Sequence, residues 1–231
     1  MIAIIGAMKI EVDALLAHMT ETEEHSLREI PFYTGKLASR PVVVCQCGVG
    51  KVMAALTTTV LLENYDIEGV INIGTAGGLM DYEEVLDVVI SDRIAHHDIL
   101  VPGWAVGFND ENPRCYKADP EYIRIINEIA AEHDRTWIGP VVTGESFVCE
   151  KEQVEAIKKN YPEALCTEME GAAIAQVCDH YHVPFVVVRS LSDITLKEGN
   201  GMTFEEYAQK ASARSAVWCE KFVTRLAVKN G

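Results

Sequence analysis

The sequence predicts an α/β fold: a single domain over residues 1–231, with a central mixed, largely parallel β-sheet flanked by helices. Three observations predict it. Strand-like and helix-like segments alternate from end to end. Several strand candidates are uninterrupted Val/Ile runs, the pattern of strands buried on both faces. And 231 residues, 48% of them hydrophobic, suffice for one full core without disulfide staples.

Taken in order, Ile2–Gly6 reads as a buried strand. Glu11–Met19 carries Val12, Leu15, Leu16 and Met19 at helical spacing. Phe32–Leu37 and Val42–Cys47 form a strand pair, and Val52–Glu63 a helix. Val70–Gly74 and Val85–Ile90 are strands. Glu121–Glu132 is helical behind Pro120, a good first-turn residue. Trp137–Thr143 is a strand, Lys151–Asn160 a polar-faced helix, Gly171–Tyr181 a helix and Phe185–Leu191 a strand. The last helix starts at Thr203, with Glu206 three residues on as a capping box, and runs to about Ala227. Ala95–Lys117 takes no assignment, and long loops of this kind are often functional.

Twenty basic against 35 acidic residues leave a net charge of -15 and a pI near 4.8. That excludes a phosphate-backbone binder and an anionic membrane surface as partners. A small neutral or cationic ligand fits. The seven cysteines include no C-x-x-C pair, so neither a disulfide framework nor a structural zinc is expected. With no basic, apolar leader at Met1–Val12 and no membrane-length apolar run, a reducing cytoplasm is expected.

Ligands of open α/β sheets bind beyond the carboxyl ends of the strands. Gly6-Ala7-Met8 and Glu11 follow the first strand candidate, and Gly48-Val49-Gly50-Lys51 follows Val42–Cys47. Gly74–Gly78, Thr143–Phe147, Glu168-Met169-Glu170 and Arg189–Asp193 occupy the equivalent positions further on. Glycines let backbone amides approach a ligand, an aromatic can stack on a planar ring, and paired carboxylates suit acid–base cleavage of a glycosidic bond. Singly, each block has a plain structural reading: a tight turn for the glycines, first-turn helix acids for Glu11, Glu168 and Glu170. His180-x-His182 reads as an exposed helix end, not a metal site, and His96-His97-Asp98 as a loop or interface segment.

Together the blocks Ile4–Glu11, Gly48–Lys51, Asn72–Gly78, Thr143–Phe147, Glu168–Ala172 and Val188–Asp193 resemble the bacterial 5'-methylthioadenosine/S-adenosylhomocysteine nucleosidases, within the wider purine nucleoside phosphorylase-like family. The resemblance implies a hydrolase that splits the N-glycosidic bond of an adenine nucleoside, without metal or organic cofactor. It implies Asp193 as the general acid at adenine N7, oriented by Ser192, and Glu11 as the group that activates water, with Arg189 and Thr75 nearby. Glu170 would bind the ribose hydroxyls and Met169 lie against the sugar. Phe147 would stack on adenine, while the Val148 backbone reads its edge. Ala76, Gly77 and Glu168 belong to the same substrate-binding set, and Met8, Val49 and Phe204 would line the sugar and 5'-substituent. The family forms homodimers, and Trp104 would complete that pocket from the neighbouring subunit.

Three departures stand out. Lys9-Ile10 replaces two acids ahead of the catalytic Glu, Thr75 stands where serine is commoner, and Ile99–Phe108 replaces a T-A-F-G-Y-type segment. The last leaves the 5'-substituent open among methylthio, homocysteinyl, 5'-deoxy and futalosine-like tails. The phosphorylase branch carries arginines where this chain has the Gly6–Glu11 turn and Asn72. A phosphorylase, a futalosine-type nucleosidase and a catalytically silent nucleoside-binding module are the alternatives.

Overall fold

A computed structural model describes residues 1–194, 197 and 204–229, the side chains of 204 and 227–229 excepted. Among the described residues ten strands and six helices follow in the order β1 (Ile2–Gly6), α1 (Lys9–Leu16), β2 (Thr20–Leu27), β3 (Ile30–Leu37), β4 (Arg40–Gln46), α2 (Lys51–Asn64), β5 (Gly69–Gly78) and β6 (Val88–His96), then β7 (Cys115–Lys117), α3 (Pro120–Ala130), β8 (Thr136–Thr143), α4 (Lys151–Asn160), β9 (Cys166–Glu168), α5 (Gly171–Tyr181), β10 (Phe185–Ile194) and α6 (Phe204–Lys229). All strands join one mixed sheet.

Its centre is parallel. β1 pairs with β4 and β5, and β5 pairs with β10, in parallel register. These are the continuous apolar runs, and their residues are buried without alternation. Each Val or Ile removed from water there is worth about 1.5–3 kcal/mol. On one side β4, β3 and β2 continue as an antiparallel meander. On the other side the sheet closes on itself. β5 pairs with β9, β9 with β8, β8 with β6, β6 with β10, and β10 again with β5. That ring gathers the ends of β5, β8, β9 and β10 around one point. α1 and α3 pack against α6 and α2 against α5, and these two groups flank the sheet.

Several boundaries differ from expectation for local reasons. Glu11–Met19 is helical only to Leu16 and begins earlier, at Lys9. Val85–Ile90 becomes a strand from Val88 onward, because the Glu84 N–H donates to Asp87 Oδ2 at 3.0 Å in a turn that places Leu86 at φ 73°. Pro120 opens α3 as expected, with Asp119 accepting from the Glu121 and Tyr122 N–H groups, both at 2.9 Å. The unassigned Ala95–Lys117 holds the end of β6 and all of β7, which pair with each other. Thr203, the expected cap of α6, lies outside the described residues. His180 and His182 sit at the exposed end of α5, His182 as its left-handed cap. Among the described residues no helix is long and apolar enough to cross a membrane.

Candidate active site

The ring mouth opens into a cavity of about 210 Å³. The turn after β1 supplies Ala7 and Met8, the first turn of α1 supplies Glu11, and the turn after β4 supplies Val49. Gly74–Gly77 and Ser192–Asp193 line it from β5 and β10. Those two blocks are strand, not turns beyond strands, so both strands run through the site. Small residues make this passage of β5 feasible: a Cβ on Gly78 would meet Ile194 Cδ1 at 2.5 Å and Glu83 Oε2 at 2.8 Å. The β10 register shifts between Leu191 and Asp193, which re-aims the strand where the acid stands. Ser146, Phe147 and Val148 follow β8, and Thr167–Glu170 lead into α5.

Glu11 is 2% exposed. Its Oε2 accepts from the Ala7 and Met8 N–H groups at 2.8 and 2.9 Å. Among the described residues its Oε1 has no protein hydrogen-bond partner. Burial raises its pKa, while the Met8 N–H, Arg189 and the Ala7 N–H pull it back. Glu11 is therefore fixed by one oxygen and free to act by the other.

Glu170 precedes α5 and is buried, with Oε1 accepting from the Gly50 N–H at 2.8 Å. Burial and the neighbouring Glu168 push its carboxyl above the ordinary range. Glu168 is different. Its Oε2 accepts from Arg189 Nη2 at 2.6 Å, the Glu170 N–H at 3.0 Å and the Gly171 N–H at 2.7 Å, and its Oε1 accepts from Thr143. Both oxygens are engaged, so Glu168 supports the site although it borders the cavity.

Arg189 does not line the cavity. It is fully buried behind Gly74, where its Nη2 also donates to Asn72 Oδ1 at 2.5 Å. Asp193 Oδ1 lies 2.6 Å from Ser192 Oγ, which is also 3.2 Å from the Ala76 carbonyl oxygen. Phe147 and Val49 are 65% and 62% exposed at the mouth.

Most of the expected residues thus meet. Met8, Glu11, Val49, Thr75, Ala76, Gly77, Phe147, Val148, Glu168, Met169, Glu170, Ser192 and Asp193 line one cavity. Trp104 does not; it is 42% exposed, with the Arg114 guanidinium 5.1 Å above its ring. The Phe204 side chain lies outside the described residues. Sequence reasoning missed Ala7, Gly74, Ser146 and Thr167 as lining residues, and the anchoring roles of Asn72 and Thr143. Only the T-G-E-S-F and N-x-G-T-A-G-G blocks that contain Thr143 and Asn72 pointed near them.

The geometry has counterparts. A family model described as the phosphorylase superfamily matches residues 1–224. A 5'-methylthioadenosine/S-adenosylhomocysteine nucleosidase of Shewanella oneidensis is 40% identical over 220 residues, 94% of this chain and 93% of its own. Among solved structures, the nucleosidase of that name from Neisseria meningitidis, in complex with methylthio-immucillin-A, has a TM-score of 0.89 at 36% identity, covering 97% of this chain and 98% of that one. The one from Colwellia psychrerythraea, in complex with adenine, has a TM-score of 0.89 at 34% identity, covering 97% and 95%. The chain belongs to the phosphorylase superfamily and, within it, to the family of the 5'-methylthioadenosine/S-adenosylhomocysteine nucleosidases.

Proposed function

We propose that this protein hydrolyses the N-glycosidic bond of 5'-methylthioadenosine and S-adenosylhomocysteine, releasing adenine and the 5-substituted ribose. The observation that carries hydrolysis over phosphorolysis is the charge of the cavity wall. Glu11, Glu168, Glu170 and Asp193 border it, and among the described residues no lysine or arginine does. Lys9, the one cation in the first turn, points away and pairs with Asp13 at 2.6 Å. Such a wall repels phosphate and suits water and a ribosyl cation.

Asp193 donates its proton to adenine N7, so the base departs neutral and takes the C1'–N9 electron pair. Ser192 orients Asp193. The free Oε1 of Glu11 takes a proton from the water whose oxygen bonds to C1'. Glu170 accepts from the ribose hydroxyls, and Met169 packs on the sugar. Phe147 stacks on adenine and the Val148 backbone reads its edge. Met8, Val49, Thr75 and Phe204 shape the sugar and 5' region, and Ala76 and Gly77 offer close backbone approach. Arg189 acts through Glu168 and Asn72 as a positioning residue.

A homodimer in which Trp104 closes the partner's 5' pocket is part of the same proposal. Its support is large apolar side chains left exposed on two segments: Val52, Met53 and Leu56 of α2, and Leu100, Val101 and Trp104 of the loop after β6. Seven free cysteines fit a reducing cytoplasm.

Chromatographic assay of adenine release from methylthioadenosine, with and without phosphate, tests the reading. Phosphate-independent adenine with free methylthioribose is expected. Activity that scales with phosphate would select the phosphorylase, and tight binding without turnover would select the silent module.

A further inference from the structure

Outside the cavity, three turns are tied together by a closed set of contacts. Lys51 Nζ meets Asp98 Oδ1 at 2.6 Å. The Glu145 N–H donates to Asp98 Oδ2 at 2.9 Å. The Lys51 N–H donates to Glu145 Oε2 at 3.0 Å. Each carboxylate therefore takes a donor from a different turn, and the chain of contacts returns to Lys51. The turns follow β4, β6 and β8. A further backbone bond, from the His97 N–H to the Thr143 carbonyl at 3.0 Å, runs parallel to it.

This is not an ordinary surface pair. Lys9–Asp13 joins residues of one helix, with side chains 77% and 51% exposed. The Lys51 and Asp98 side chains are only 17% and 29% exposed and join segments 47 residues apart. Charge-assisted bonds in such a setting hold geometry better than solvated pairs. Gly50 is also moulded to the ring: its φ is 95°, and a Cβ there would come within 2.6 Å of Glu145 Oε1.

The inner sides of two of these turns, those after β4 and β8, face the cavity. Val49, Phe147 and Val148 line it, and the Gly50 N–H holds Glu170. We propose that the Lys51–Asp98–Glu145 ring is a positioning device that sets the spacing between the Gly48–Lys51 turn and the Gly144–Val148 turn, and so fixes how tightly the cavity mouth grips its ligand. The inference rests on the reading above that the cavity takes an adenine nucleoside. The ring touches no reacting atom, so it acts on binding and leaves the chemical step alone.

The test is steady-state kinetics on the full-length protein with methylthioadenosine. Asp98→Asn and Lys51→Met are each expected to raise KM about five- to tenfold with kcat within twofold. The double variant is expected to match either single one, because each already opens the ring. Lys51→Arg, which keeps the ion pair, is expected to return KM toward wild type. A KM within twofold of wild type in both single variants would overturn the proposal, and so would an additive double variant or an equal loss of kcat. Glu145→Gln repeats the test at a third corner should either variant fail to fold. Calorimetric binding of adenine gives the comparison without turnover: weakened binding in the variants supports the ring, and unchanged binding sinks it. A wild-type protein that binds adenine but does not release it from methylthioadenosine would instead fault the proposed activity.

Discussion

The outer meander and the closed end of the sheet treat charge in opposite ways. β2 reads Thr-Glu-Thr-Glu-Glu-His-Ser-Leu, and its acids point into solvent. In and behind the cavity wall Glu11, Glu168, Glu170 and Arg189 are all at least nine-tenths buried. Burying charge rarely improves stability over an apolar replacement, because desolvation offsets the Coulomb attraction. Charges held there against that penalty mark a site built for chemistry. Charges on β2 protect a sheet edge from pairing with other chains.

The largest effect that would sharpen the contrast is on turnover. Asp193→Asn should lower kcat/KM by about 10²–10⁴-fold, the span of one general acid, with the melting temperature within about 2 °C of wild type. Turnover within tenfold of wild type would remove Asp193 from that role.

Next comes stability. Arg189→Met leaves Glu168 buried without its counter-ion and should destabilise by about 3–5 kcal/mol in urea titration. A loss under 1 kcal/mol would break the comparison, since it would make the buried pair no more valuable than a surface one.

The third effect depends on pH. Glu83, wholly buried beside β5, is pushed up to about 7 by burial, against donors from the Met80 and Leu79 backbone. The folded state holds that proton more tightly than the unfolded chain. The resulting stability is full below about pH 4.5 and is lost as pH rises through about 7. Glu83→Gln should therefore remove a fall of up to about 3 kcal/mol across that window. His96, pushed down to about 4 by burial, works oppositely, losing stability as pH falls below about 6.5. Thermal unfolding of variant and wild type at pH 5 and pH 8 separates the two. Parallel curves would show that Glu83 does not titrate in this range.

Smaller still, Trp104→Ala should change the preference between methylthio and homocysteinyl tails several-fold while adenine remains the required base. An equal loss on every substrate would refute the cross-subunit pocket. Smallest of all, Glu23→Lys on β2 should move stability by no more than about 0.5 kcal/mol. A larger loss would show that the meander, too, depends on its charges.

The same contrast explains what could be read in advance. β1, β4 and β10 stand out as apolar runs because nothing about them alternates, and their expected bounds fall within a few residues of the observed ones. β2 carries no apolar signal, since an edge strand facing solvent needs none, and β7 and β9 are three residues long. In the site, Glu11, Glu170 and Asp193 were legible because each stands in a recognisable block. The contacts that fix them were not. Arg189 reaches Asn72 across 117 residues and Lys51 reaches Glu145 across 94, and no local pattern announces such pairings.

The closed ring also bears on how the molecule comes to exist. Synthesis delivers β5 by residue 78, but its ring neighbours β9 and β10 emerge only between residues 166 and 194. Until then β5 has β1 on one side and an unpaired edge on the other. Ring closure must join residues more than a hundred positions apart, the kind of contact that slows folding. The cavity therefore stays incomplete until β10 has been synthesised, because a nascent chain that lacks β10 lacks Asp193 and the strand that holds it. The cavity and the completed sheet arrive together.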